Sequence, residues 1–104
     1  MIEKVYHLAR TDEKTIEKVL LDENIHYLHM VLPQNEGLPV HETNAAVYMT
    51  VARGTLTIRL AENEANRYET GTLLKIPRGT LMDARNIDED TLELIVVKAP
   101  APAL

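Results

Sequence analysis

The chain has 104 residues, a length typical of one domain with a single hydrophobic core. Its 45% hydrophobic and 26% charged residues are typical of a globular protein. The absence of cysteine excludes disulfides, thiolate metal sites and cysteine nucleophiles. The only imidazoles are His7, His26, His29 and His41, so residues 42–104 contain no histidine ligand.

The charge pattern argues against two kinds of partner. The formal net charge is −5, and the 11 Lys and Arg residues are scattered among acidic residues, whereas a phosphate backbone requires clustered basic residues. No stretch reaches the 18 or so apolar residues of a membrane-spanning helix, and residues 1–7 do not read as a signal peptide because they include an acidic residue and no long apolar run. We therefore expect a cytoplasmic protein with no nucleic-acid and no membrane partner.

Residues 1–24 are expected to form an arm that packs on the main domain. Residues 11–14 followed by apolar positions within 16–20 fit the start of an N-capped helix. The same residues also fit a strand that pairs with residues 25–32 through a turn at 22–24. The hairpin is favoured over the short helix because a turn signal and a second strand follow directly.

From residue 25 onward the apolar residues recur with a period near two, which indicates β-strands. Several short strands separated by turn residues predict a sandwich or barrel over 25–98, followed by a Pro-rich extended tail at 99–104. His26 and His29 lie on opposite faces of the first strand, so we expect each to be a half-exposed strand residue. The predicted strands are 25–32, 45–51, 55–60, 72–76 and 91–98.

The spacing of turn residues in the second half resembles a motif of the cupin superfamily. Pro77 follows Gly71 by six residues, Gly79 follows Pro77 by two, and Asn86 follows Gly79 by seven. The second cupin motif has a glycine, five residues, Pro-x-Gly, two residues, a histidine, three residues and an asparagine. The glycines, the proline and the asparagine match in register, and Met82 occupies the histidine position.

A second segment resembles the first cupin motif, which contains His-x-His, then a glutamate and a closing glycine. With His41 as the first histidine, the closing glycine is Gly54, the second histidine position is Thr43 and the glutamate position is Val47. The leading glycine falls on Asn35, a mild change because asparagine tolerates left-handed backbone geometry.

The resemblance implies an all-β fold, a single small cupin jelly-roll barrel (a double-stranded β-helix). In the family, the two histidines and the glutamate of the first motif and the histidine of the second are metal ligands. Here only His41 keeps a ligand type, and one imidazole is too few for a metal that needs three or four ligands. We therefore expect no metal and no cofactor, with apolar packing or a ligand pocket in place of the metal. The candidate pocket residues are His41, Thr43, Val47, Met49 and Met82.

Several functions remain open at this point. The first is a metal-free cupin that binds a small apolar or mixed-polarity molecule, or a sensory or accessory domain. The alternatives are a metal-independent isomerase or epimerase with His41 as catalytic base, a metal-dependent cupin with non-standard ligands, and a dimerisation module without a ligand. His41 is expected inside the barrel, held by Thr43, Asn44 or a backbone carbonyl. A homodimer is expected because strands 25–32 and 91–98 are apolar on both faces.

Overall fold

The computed structural model describes residues 1–103, and the regular secondary structure of these residues consists of β-strands. The described part of the chain accordingly has no helix that is long and apolar enough to cross a membrane. The strands are β1 (Thr15–Leu21), β2 (His26–Leu32), β3 (His41–Glu42), β4 (Val47–Arg53), β5 (Thr55–Leu60), β6 (Asn66–Glu69), β7 (Leu73–Ile76), β8 (Leu81–Arg85) and β9 (Leu92–Lys98).

The strands form two antiparallel sheets. The larger sheet has the order β1-β2-β9-β4-β7 and the smaller sheet the order β3-β8-β5-β6. Side chains from both sheets belong to one buried apolar cluster, which forms the core. Alternate residues of the long strands β2, β4, β5 and β9 enter it, as the period of two predicts. The contributions of the long strands are Leu28, Met30 and Leu32 from β2, Val47, Met49 and Val51 from β4, and Leu92, Leu94 and Val96 from β9.

The N-terminal third forms the hairpin and not the helix. β1 pairs with β2 and becomes an edge strand of the larger sheet. The turn between them is held by the Asp22 side chain, which accepts hydrogen bonds from the backbone N–H groups of Asn24 (2.8 Å) and Ile25 (2.9 Å). The register shifts between Lys18 and Leu20, so β1 contains a β-bulge.

The strand predictions are confirmed for the long apolar runs, whose observed ends lie within two residues of the expected ones. Three shorter strands, β3, β6 and β8, are not predicted by the apolar pattern of the sequence. The C-terminal segment folds back on the first hairpin, where the Ala101 N–H donates to the Asn24 carbonyl (2.9 Å). Leu104, the last residue of the predicted tail, lies outside the described residues.

Gly54 forms the turn between β4 and β5 and meets two separate constraints. Its φ of +77° lies in the left-handed region, which L-residues with a side chain enter only at a cost. A Cβ atom at this position would also lie 2.5 Å from the backbone carbonyl oxygen of Thr91. Gly71 is also left-handed, with a φ of +93°, but a Cβ there would meet no atom within 4 Å.

These two glycines separate backbone strain from steric clash. We expect Gly71→Ala to lower the free energy of unfolding by about 1–2 kcal/mol, because only the left-handed conformation opposes alanine. Gly54→Ala should cost about 1–3 kcal/mol more, because the backbone at Thr91 must also move. Urea unfolding of both variants measures the difference. Equal losses would show that the contact with Thr91 has no energetic weight.

Candidate functional site

The motif residues with backbone roles occupy the turns that the resemblance implies. Asn35, at the position of the leading glycine, has a φ of +69°, so asparagine does adopt the left-handed geometry. Gly79 has a φ of +80°, and its N–H donates to the Thr43 carbonyl (2.8 Å). The turn after β7 is therefore fastened directly to the segment that carries the first motif.

Asn86 is fully buried, and its amide is used as a structural link. Its Nδ2 donates to the carbonyl oxygens of Leu32 (2.9 Å) and Asp90 (2.8 Å), and its Oδ1 accepts from the Asp88 N–H (3.0 Å). Its backbone N–H donates to the backbone carbonyl oxygen of Glu36 (2.8 Å). Through these hydrogen bonds, Asn86 joins the end of β2, the loop after β2 and the turn before β9. Its role is therefore structural.

His41 lies on the two-residue strand β3 at the edge of the smaller sheet and is exposed. Its Nδ1 donates to the carbonyl oxygen of Pro39 (2.9 Å). The prediction of a backbone carbonyl partner is thus confirmed, but the prediction that His41 lies inside the barrel is wrong. An edge strand of two residues gives an imidazole access to water, so nothing forces its burial.

The other ligand positions lie in the interior, and none presents a free ligand atom. Thr43 is buried, and its hydroxyl donates to the Pro77 carbonyl (2.8 Å) and accepts from the Thr80 N–H (3.0 Å). Val47 and Met82 belong to the apolar core. Met82 is the direct strand neighbour of His41 across β3 and β8, so the positions are adjacent as the motifs imply.

The chemistry of this donor set does not fit the metal that the fold family implies. The hydroxyl of Thr43 already takes part in two hydrogen bonds, Val47 has no ligand atom, and the thioether of Met82 is a soft ligand enclosed by hydrocarbon. Only the exposed imidazole of His41 remains. Among residues 1–103, no group of three or more His, Cys, Asp or Glu side chains is arranged to hold a metal ion.

The candidate ligand pocket stays a prediction. Thr43, Val47, Met49 and Met82 are all buried, whereas His41 is exposed, so the five residues do not share one open surface. Five surface clefts of residues 1–103 are lined by other side chains. A ligand that reached the buried four would have to displace core packing.

The structure brings together a polar cluster that sequence reasoning missed. His29, expected to be half-exposed, is fully buried on the outer face of the larger sheet, the face turned away from the core. Its Nδ1 lies 2.5 Å from Glu17 Oε2 on β1, and its Nε2 lies 2.5 Å from Glu93 Oε2 on β9. His26 is half-buried, as expected.

Arg53 extends this cluster toward the N-terminal arm. Its Nε lies 3.3 Å from Glu93 Oε1, and its Nη1 donates to Asp12 (2.6 Å). His29 and the Ala9 N–H, which both hydrogen-bond Glu17, hold the pKa of that carboxyl below its usual range. The cluster borders a cleft of about 390 Å³ that residues 9–12 line together with Arg53 and Glu93.

No local sequence pattern predicts this cluster. A regular hairpin with Leu21 opposite His26 would place Lys18, and not Glu17, opposite His29. The bulge in β1 shifts the register by one residue and brings Glu17 to His29 on the same face. Glu93 comes from a strand 64 residues away, so the pairing of β2 with β9 had to be known first.

No protein-family model matches the chain. The chain is 38% identical to the uncharacterized protein MJ0764 of Methanocaldococcus jannaschii over 103 residues, which are 98% of this chain and 89% of that protein. Its structure is similar to the crystal structure of MJ0764, an RmlC-like cupin family protein with a double-stranded β-helix fold. The TM-score is 0.95, and the match covers 98% of this chain and 94% of that one.

Two more distant structures show the fold alone. A cupin superfamily protein of Desulfitobacterium hafniense is 9% identical, with a TM-score of 0.76 over 89% of this chain and 83% of that one. An uncharacterized Klebsiella pneumoniae protein with a double-stranded β-helix domain is 15% identical, with a TM-score of 0.78 over 92% and 84% of the two chains.

Substitutions at Met82 test whether this position is core. Met82→Ala should lower the free energy of unfolding by about 2–5 kcal/mol, because it removes buried atoms and leaves a cavity. Met82→Leu conserves volume and should cost less than about 1.5 kcal/mol. Leu81→Ala is the matched control, since the exposed neighbour on β8 should change stability by at most about 0.5 kcal/mol. A Met82→Ala variant as stable as the control would contradict the assignment in urea unfolding.

Proposed function

The chain belongs to the RmlC-like cupin family, and on that premise we propose that it is a metal-free, non-catalytic cupin that acts as a homodimeric accessory module. The predicted fold, a single small jelly-roll barrel, is confirmed by this membership. The observation that carries the proposal is the state of the four ligand positions. Two of them, Val47 and Met82, are filled by core side chains, the hydroxyl of Thr43 takes part in two hydrogen bonds, and the one imidazole is exposed to solvent.

An enzymatic role receives less support from the geometry. A catalytic base needs a substrate position within hydrogen-bond reach and, for isomerase chemistry, an acid partner on the other side. Among the described contacts, the partner of His41 is the Pro39 carbonyl and not a carboxylate or a tyrosine. His41 as a base, and a small apolar molecule bound at Thr43, Val47, Met49 and Met82, stay predictions.

The outer face of the larger sheet supports the homodimer. Two rows of side chains cross this face, one through Tyr27, Val97 and Tyr48 and the other through Ile95 and Thr50. All five are partly accessible to solvent, although most of their surface is apolar. On β7, the first row ends at Lys75, whose Nζ lies 5.7 Å from the centroid of the Tyr48 ring, and the second row ends at Leu73, which is 62% exposed. A contiguous apolar area of this kind on a sheet face is typical of an interface between proteins.

The outer face of the smaller sheet has a different character. Charged residues dominate it, with Arg59 opposite Asp83 across β5 and β8, and Arg85 and Arg67 on either side of Thr57. Charged side chains of both signs are expected on a solvated surface and are depleted in the centre of an interface. The contrast between the two faces favours the larger sheet as the surface on which two copies meet around a twofold axis.

Elemental analysis tests the metal-free proposal. Protein purified without a histidine tag should contain Fe, Mn, Ni, Zn and Cu far below one atom per chain. Titration calorimetry with each divalent ion should show no difference between the natural chain and His41→Ala, because His41 lacks a second ligand. Stoichiometric metal that is lost in the His41→Ala variant would overturn the proposal.

Light scattering coupled to size exclusion tests the dimer. The natural chain should elute at twice its mass of 11.7 kDa. Val97→Lys, which places a charge in the apolar rows, should shift it to the monomer mass because the charge would be desolvated at the interface. Leu81→Lys on the smaller sheet is the control and should leave the dimer intact. Elution of the natural chain as a monomer at micromolar concentration would contradict the dimer.

A further inference from the structure

The cluster on the outer face of the larger sheet contains more hydrogen-bond contacts than a neutral histidine can make. Both ring nitrogens of His29 lie 2.5 Å from a carboxylate oxygen, one of Glu17 and one of Glu93. A neutral imidazole has one N–H donor and one acceptor nitrogen, whereas a carboxylate has acceptors only. The geometry is satisfied when both ring nitrogens carry a proton, because each can then donate to one carboxylate.

The side chains around His29 form an alternating series of charges. Glu17 on β1 and Glu93 on β9 lie on either side of the ring, Arg53 on β4 contacts Glu93, and Asp12 of the arm contacts Arg53. With an imidazolium in second place, the signs are negative, positive, negative, positive and negative. Without it, two carboxylates would face a buried neutral ring, and charges out of water need such partners.

This series holds the segment 9–12, here called the strap, to the sheet at two points. At one end, the Ala9 N–H donates to Glu17 Oε2 (3.1 Å), the same oxygen that contacts His29. At the other end, Arg53 donates from Nη1 to Asp12 (2.6 Å) and from Nη2 to the Thr11 carbonyl (3.1 Å). The strap therefore shares its anchoring groups with the buried histidine.

We propose that the Glu17–His29–Glu93 cluster is a proton-dependent latch, in which an imidazolium at His29 holds the strap on the sheet and loss of its second ring proton releases it. When that proton passes to water as the pH rises, one nitrogen keeps a lone pair at 2.5 Å from a carboxylate oxygen. The two repel each other, so the carboxylate must move. Glu17 accepts a hydrogen bond from the Ala9 N–H, and Glu93 contacts Arg53, which in turn holds Asp12. Movement of either carboxylate therefore weakens a contact that attaches the strap to the sheet.

Acid acts on the same latch from the other side. The lowered pKa of Glu17, caused by His29 and by the Ala9 N–H, means that the folded arrangement favours the ionised carboxylate. Its stabilising contribution is therefore complete above the usual range of a glutamate and is lost as the pH falls through the lowered value. The strap should be attached over an intermediate range and loosen at both ends of it. This inference is independent of the proposed dimer.

Nuclear magnetic resonance of the natural chain tests the protonation state directly. Long-range proton–nitrogen correlation distinguishes an imidazolium from each neutral tautomer, and His7, His26 and His41 are internal references in the same sample. At about pH 8, above the range in which ordinary histidines titrate, His29 should still show two protonated ring nitrogens. A neutral tautomer at His29 in the folded protein at that pH would overturn the proposal.

Amide exchange measures the strap itself. After correction for the intrinsic pH dependence of exchange, the Ala9 amide should lose protection by about tenfold over the pH range in which His29 loses its second proton. Amides of β4 and β9 that are hydrogen-bonded within the larger sheet should keep theirs. An Ala9 amide whose protection does not follow the His29 titration would separate the strap from the cluster and contradict the latch.

Two variants probe the link between the groups. His29→Gln should raise Ala9 exchange by about tenfold at pH 7, and His26→Gln on the same strand is the matched control with no expected change. If His29→Gln fails to fold, Glu17→Gln on the edge strand serves instead. Glu17→Gln keeps the shape of the side chain but removes the negative charge that stabilises the imidazolium. His29 should therefore lose its second proton at a lower pH than in the natural chain. An unchanged His29 titration in Glu17→Gln would contradict the coupling.

Discussion

The constraint on which this structure depends is that a polar atom placed in its small apolar core is costly unless it has a hydrogen-bond partner. One apolar core, shared by both sheets, holds the barrel together, and an unpaired polar group inside it would cost about 1–3 kcal/mol. Asn86 and Thr43 meet the constraint through several hydrogen bonds each. Val47 and Met82 meet it by having no strong polar atom, and His41 meets it by lying outside. The residues at these positions are therefore accommodated by packing, by hydrogen bonding or by exposure to water.

The constraint explains which parts of the fold can be predicted from the sequence. Strands β2, β4, β5 and β9 send alternate side chains into the core, so their apolar period is visible in the residues themselves. The turn positions are visible for a separate reason, because a left-handed backbone restricts the residue type, as Asn35 and Gly54 show. β3 and β6 are short and mostly polar, and β8 has only Met82 and Ala84 in the core. Hydrogen bonds to neighbouring strands define these three, and no local pattern reports such bonds.

The two histidines that sequence reasoning misplaced show why burial is harder to predict than strand position. His41 was expected inside because the motif position is interior in the family, but β3 is an edge strand of two residues and leaves the ring in water. His29 was expected to be half-exposed because it lies on the face opposite the core. It is buried because a bulge in β1 brings Glu17 beside it and the strap lies over the cluster. In both cases the outcome depends on neighbours from other strands, and a shift of one residue exchanges the faces of a strand.

The larger sheet differs from an ordinary antiparallel sheet, in which one face is apolar and buried and the other face is polar and solvated. Its inner face closes the barrel with hydrocarbon, while its outer face carries both the apolar rows and a buried histidine paired with two partly buried glutamates. Charged groups remain in such a place only when they are paired with opposite charges and covered. The arm contacts Glu17 through the Ala9 N–H and Arg53 through Asp12, so the arm is part of the sheet's electrostatics as well as of its packing. Three of the four ligand positions of the barrel hold hydrocarbon or a hydrogen-bonded hydroxyl and the fourth, His41, is exposed, so the buried histidine of this fold lies on the outer face of the larger sheet instead.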